Sequence, residues 1–310
     1  MKYALINGIL LDGTETMQPR PGLTVLVNGD RIEALVPAGT EGSDYERIDL
    51  AGGYVMPGLI NLHVHLPASG RPTVKQKDTK KIVRLMTSNA LLRAITFRVC
   101  AGYAKTELLS GVTTLRSVGG IQAVDSCLRD KILSGKAVGP RILAGNMAVS
   151  VPGGHMAGSL PYAMFDRSVT GASETEQYNG RIVMDGIIAC AKACLKNGIP
   201  VGLGTDTGCP YITHYDMWRE VYYFHKLCNV SNAFALHTAT LGNARLVGLG
   251  EETGSLEPGK CADLVVTGGN PLEDLKALRH MDLVMARGNL YRSPKVKKME
   301  KAERELDKFL

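Results

Sequence analysis

The sequence is poor in aromatic side chains, which make up 5% of it with a single Trp. So few rings give little to stack bases on, which argues against a nucleic-acid surface. No apolar run approaches the ~18 residues of a membrane-spanning helix, so no membrane partner is expected. Paired-cysteine spacing is missing too. The seven cysteines are odd in number and show no CxxC, which argues against a disulfide framework. Cys190 and Cys194, four apart, fall on one face of an expected helix and read as small side chains in a reducing cytosol. Neither charge sign dominates: 36 basic residues stand against 30 acidic ones, a net charge of +6. Much of that excess lies in the loop Arg71–Lys81 and the tail Arg292–Lys308. The N-terminal "MKYALINGILLDG" is too short in apolar residues for a signal peptide, so the expected location is cytoplasmic.

What is present is glycine, 35 residues of it, in a chain of 310 with 45% hydrophobic residues. That length carries one large domain and one small one, and abundant glycine suits tight turns between strands and helices. Residues 1–56 read as short strands separated by Asn-Gly, Gly-Asp and Gly-Gly turns, and residues 250–294 resume that style. Two strand-rich ends around a different middle suggest one small β domain built from both termini. Residues 57–249 alternate strand and helix: "GLINLHVH", a helix over 78–110, "GVTTLRSV", a helix in "IQAVDSCLRDKILSG", "PRILAGNM", a helix over 174–197 capped by Ser173, and "IPVGLGTD". Two helices follow, "DMWREVYYFHKLC" and, after the cap Ser231, "NAFALHTATLGNARLVG", and residues 295–310 form a basic helical tail. Strand-helix alternation implies a parallel sheet with right-handed crossovers.

The sharpest chemical signal is "NLHVH". Alternation along a strand puts Asn61, His63 and His65 on one face and Ile60, Leu62 and Val64 on the other. Two imidazoles spaced i, i+2 at the end of a strand can share one Zn²⁺, although such pairs also arise by chance at surfaces. In "IPVGLGTDTG" the same parity groups Gly202, Gly204 and Asp206, leaving room for a close neighbour and placing Asp206 last. Sites in parallel α/β folds lie at that end of the strands, but Asp206 serves equally well as a cap of the next segment. His155, in the loop "PGGHMAGS", and His214, after Asp206, are candidates for substrate contact or simply exposed loop histidines. His225, His237 and His280 read as structural. Cys209 has no base placed by sequence to activate it.

Together "VMPGLINLHVHL", "GVTTLRSVGG", "GPRILAGNMAVSVPGGHMAG", "NGIPVGLGTDTG", "ATLGNARLVGL" and "GSLEPGKCADLVV" resemble the amidohydrolase superfamily, in its imidazolonepropionase-like and Xaa-Pro dipeptidase-like branch. The resemblance implies a (β/α)8 TIM-type barrel with a small β-sandwich formed from both termini. It implies a divalent metal, Zn with Mn or Fe as alternatives, held by His63, His65 and Asp206, with Asp206 also moving the reaction's proton. His155 and His214 match histidines near the substrate. One departure is large: where the family carries strands four to seven, with a carboxylated lysine and two more histidine ligands, this chain has only "SVPGGHMAGSLPYAMFDRSVTGAS". The expected fold is therefore an incomplete barrel. The expected function is metal-dependent hydrolysis of an amide, cyclic amide or dipeptide, impaired by the missing ligands. The rival is a degenerate, non-catalytic protein with a binding or assembly role. Uncovered parallel edges favour a homo-oligomer.

Overall fold

The computed structural model describes residues 1–72, 79–146 and 174–310. His155, the cap Ser173 and the span read as replacing barrel strands four to seven lie outside the described residues.

The two ends of the chain fold together. β1 (Lys2–Leu10), β2 (Arg20–Asn28), β3 (Arg31–Pro37), β4 (Glu46–Asp49) and β5 (Tyr54–Pro57) join β9 (Leu264–Thr267), β10 (Leu283–Ala286) and β11 (Asn289–Arg292) in one eight-stranded sheet. The seam is β5 against β9, antiparallel from Tyr54↔Thr267 to Pro57↔Leu264. Turn chemistry sets the hairpins. Arg287 and Gly288 both take positive φ (48° and 72°) between β10 and β11, the two-residue turn whose twist matches the strands. The sheet wraps its own core of Leu5, Val25, Val27, Ile48, Leu264 and Met285.

The middle of the chain builds a second, parallel sheet in the order β6 (Leu59–Val64), β7 (Val112–Ser117), β8 (Arg141–Ala144). The expected strand in "IPVGLGTD" runs beside β6 on its other flank, with Leu62 N–H donating to Leu203 O (3.1 Å), Asp206 N–H to His63 O (3.0 Å) and His65 N–H to Thr207 O (2.8 Å). It is an irregular parallel segment rather than a full strand, because Asp206 takes φ +58° and ends the extended run.

Helices cover this sheet. The expected helix over 78–110 is two, α1 (Thr79–Thr87) and α2 (Ala90–Leu109), broken where Asn89 turns extended and its side chain accepts Leu92 N–H at 2.9 Å as a cap. α3 (Val124–Leu133) and α4 (Glu174–Lys196) follow as expected, then α5 (Met217–Cys228). The next helix is α6 (Asn232–His237), capped by Ser231, passing through a wider turn over Thr238–Gly242 into α7 (Asn243–Leu246). α8 (Glu300–Leu306) docks on α5 by its acidic side: Glu303 and Asp307 bind Arg219, and both also reach Arg279. The main core unites Leu59, Val64, Leu115, Cys100 and Leu108 with Met56 and Val284 of the terminal sheet, so the two sheets share one interior. No described helix is long and apolar enough to cross a membrane.

Candidate metal centre

The simple alternation expected along β6 does not hold. The register against β7 slips between Asn61 and Val64, the signature of a bulge, which turns the chain about His63. Ile60 and Leu62 pack with Ala244 of α7, whereas Val64 joins the main core. His63 and His65 still emerge together, their Nε2 atoms 3.3 Å apart. Asn61, grouped with them by alternation, is instead fully buried in a polar network behind them.

That network ties the two segments that carry the candidate ligands. Asn61 Oδ1 accepts Thr205 N–H (3.1 Å) and His63 N–H (3.3 Å), while its Nδ2 donates to Thr205 Oγ1 (2.9 Å) and to Glu107 Oε2 (3.3 Å). Glu107, on α2 and 1% exposed, also faces His214 Nδ1 at 3.2 Å. His214 Nε2 lies 2.8 Å from the Ala68 carbonyl, and its ring stacks on Tyr103 at 4.4 Å. His214, expected among the substrate contacts, is thus buried with both nitrogens engaged, and it pins the loop after β6.

Asp206 meets the two histidines from the neighbouring segment. Its Oδ1 stands 2.9 Å from His65 Nε2 and 3.4 Å from His63 Nε2. Its left-handed backbone is uncommon for a residue other than glycine, though Asp tolerates it better than most. Such conformations persist where the surroundings over-determine them. Here Gly204 permits the approach: a Cβ on it would stand 2.7 Å from both Cβ and N of His63. The glycine expected to leave room for a close neighbour therefore has His63 as that neighbour. Beyond Asp206, Gly208 (φ +114°) and Gly70 (φ +63°) let the two loops meet, with Gly70 N–H donating to Gly208 O at 3.2 Å.

Among the described residues, His63, His65 and Asp206 are the group whose donor atoms could hold a metal ion, all within 4.8 Å of one another. The set fits zinc on its chemistry. Three donors at about 2.1 Å from one tetrahedral Zn²⁺ stand roughly 3.4 Å apart, and the three separations here are 2.9, 3.3 and 3.4 Å. Burial, opposed by the Asp206 charge, holds the His63 imidazole below its usual pKa, toward the neutral form that binds metal. Burial and then the Asp206 charge push the Cys209 thiol up to about 12, so it stays protonated and is no nucleophile. His63 also borders an open cavity of about 420 Å³ shared with Arg116, Leu62 and Leu246. Asn61 and Glu107 are the organising residues that sequence reasoning missed. Glu107 had a signal: it falls seven after Cys100 and next to Leu108 on the stripe that α2 buries.

With this geometry in place, residues 179–291 match the model of the amidohydrolase family. An imidazolonepropionase of Picrophilus torridus is 33% identical over 91 residues, which cover 29% of this chain but only 22% of that enzyme. An imidazolonepropionase of Thermoplasma acidophilum is 21% identical over 365 aligned positions, covering 86% of this chain and 88% of the other. Since those positions outnumber the 310 residues here, that relative has segments with no counterpart in this chain. A solved structure, a candidate prolidase from Bifidobacterium longum, superimposes with a TM-score of 0.85 at 25% identity, over 99% of this chain and 98% of that one. These likenesses place the fold among TIM-barrel-like α/β proteins.

Proposed function

The chain belongs to the amidohydrolase superfamily, in its imidazolonepropionase-like and Xaa-Pro dipeptidase-like branch, and on that footing we propose that it hydrolyses C–N bonds of an amide, cyclic amide or dipeptide with the help of a divalent metal. The observation that carries this reading is the convergence of His63 and His65 from one parallel strand with Asp206 from its neighbour. These three would hold the metal, zinc by preference for two imidazoles and one carboxylate, with Mn or Fe as alternatives. A metal there supplies Lewis acidity, making a water more acidic and a carbonyl more electrophilic. Asp206 takes the proton released as water adds to the carbonyl carbon and returns it to the nitrogen as the C–N bond breaks. His214 braces the wall behind the histidines through Glu107 and Ala68. His155 remains a candidate for substrate contact. With three ligands converging among the described residues, the reading is a single-metal, incomplete-barrel enzyme of impaired turnover.

The test is metal analysis of protein dialysed without chelator, wild type beside His63→Ala. Wild type should retain about one metal per chain, as three protein ligands plus water would, and the variant should lose it. Equal content in both rejects the site. Hydrolysis of dipeptides, N-acyl amino acids and cyclic amides with added Zn²⁺ or Mn²⁺ then tests the chemistry, with Asp206→Asn lowering the rate by about 10²–10⁴. Metal retained without turnover on any substrate supports the degenerate, non-catalytic alternative. Assembly into a homo-oligomer is part of the same proposal, and light scattering that gives a lone 33.3 kDa species at high concentration excludes it.

A further inference from the structure

A second cavity, of about 320 Å³, lies between α4 and α5. The segment leading to Asp206 forms one wall through Val201, Gly204 and Thr205, and Leu306 and Phe309 at the C-terminus close one end. Most of the lining is apolar, with Met184, Ile188, Ala191, Phe224 and Leu227 prominent. A volume of this size holds a small molecule, and apolar walls with few polar groups are the usual form of such sites.

The lining contains one acid without a counterpart. Among the described residues, Glu220 makes no side-chain hydrogen bond and no ion pair, although it sits on the cavity wall of α5. Its neighbour Arg219, the one cation among the described lining residues, is ion-paired away from Glu220: Nε donates to Asp216 and Nη2 to Glu303 and Asp307, which leaves Nη1 without a hydrogen-bond partner. Burial, and secondarily the charge of Asp206, push the Glu220 carboxyl up to about 7. A lone carboxylate in apolar surroundings is costly unless it acquires a partner.

We propose that this cavity binds a small apolar amine, whose ammonium pairs with Glu220 while its hydrocarbon part fills the space between α4 and α5. A carboxylic acid fits less well, because the acids Glu220 and Asp216 both line the cavity and the Arg219 charge is already shared among Asp216, Glu303 and Asp307. A bare divalent cation does not fit, since it needs several oxygen ligands and the walls are hydrocarbon. This site backs onto the segment that carries Asp206 but includes neither His63 nor His65, and it does not require the hydrolytic reading.

The probe is 2-phenylethylamine, titrated calorimetrically at pH 8 into the metal-free full-length chain beside its neutral analogue 2-phenylethanol. The amine should bind at one site, with the alcohol weaker by about tenfold or more, the scale of a charge-assisted hydrogen bond. Glu220→Gln should remove that preference, and Ala191→Trp, which fills the cavity, should abolish binding of both. Circular dichroism confirms that the variants fold, and His63→Ala should bind the amine as wild type does. Equal affinity for amine and alcohol, unchanged amine binding in Glu220→Gln or Ala191→Trp, loss in His63→Ala, or no saturable binding at millimolar amine each overturns the proposal.

Discussion

The terminal sheet and the parallel sheet are made by opposite means. In the terminal sheet, strands from two ends of the chain meet along the unshifted β5–β9 ladder, the register shifts of β1–β2 and β2–β3 fall away from that seam, and the core is hydrocarbon. In the parallel sheet the strand that carries the histidines is bulged, its neighbour is irregular and bends at a left-handed Asp206, and a buried amide and carboxylate hold the pieces together. The first arrangement is what stability alone selects. The second adds a buried polar network that places three donor atoms, one of them on a left-handed Asp206, and strain at such a position is typical of functional sites. The contrast separates what supports the protein from what shapes its site, and substitutions can tell the two apart.

The largest effect on stability is expected in the terminal sheet. Leu264 is fully buried and sits where β9 pairs with both β5 and β10, opposite Pro57 and Met285. Leu264→Ala should cost about 2–5 kcal/mol in denaturant unfolding, as large-to-small changes in cores do. Zinc affinity of the folded fraction should not change, since the lost contacts belong to the terminal core and none is shared with His63, His65 or Asp206. A matching fall in zinc affinity would show that the two sheets are not separable in this way.

The sequence was legible where chemistry and local pattern coincide. His63 and His65 on a parallel strand, Asp206 at the end of its neighbour, the cap Ser231, and the pairing of both termini in one β unit could all be read from residue type and spacing. What could not be read depends on partners distant along the chain. The bulge at His63 arises from the register of β6 against β7, so the alternation that grouped Asn61 with the histidines failed. Glu107 meets partners 46 and 107 residues away, and nothing local marks them. The tail is basic in composition, yet it docks through Glu303 and Asp307, whose partners Arg219 and Arg279 lie on other elements.

The smaller effect on stability, and the sharper one on the site, is expected at Asn61. Its side chain accepts the N–H groups of His63 and Thr205, which flank the ligand positions on both segments, and donates to Thr205 and Glu107. Asn61→Ala leaves those buried groups without partners and should cost about 1–3 kcal/mol of stability. Because the backbone bonds between the two segments then lose the side-chain tie that fixes His63 against Thr205, zinc affinity should fall about 10–100-fold, the usual effect of losing a group that orients a ligand. The expected pattern is therefore the reverse of Leu264→Ala: less stability lost and more metal affinity lost, both read from urea unfolding and competitive zinc titration of the same preparations. A second pair of variants guards against a merely structural reading. Asn61→Asp keeps both backbone acceptor contacts but sets a carboxylate against Glu107, so it should bind zinc weakly. Adding Glu107→Gln reverses donor and acceptor across that contact and should restore affinity relative to Asn61→Asp alone, a coupling that a double-mutant cycle measures directly. If Asn61→Ala binds zinc as wild type does, the amide only fills space. If the double variant shows no recovery, Glu107 does not act on the metal centre through Asn61.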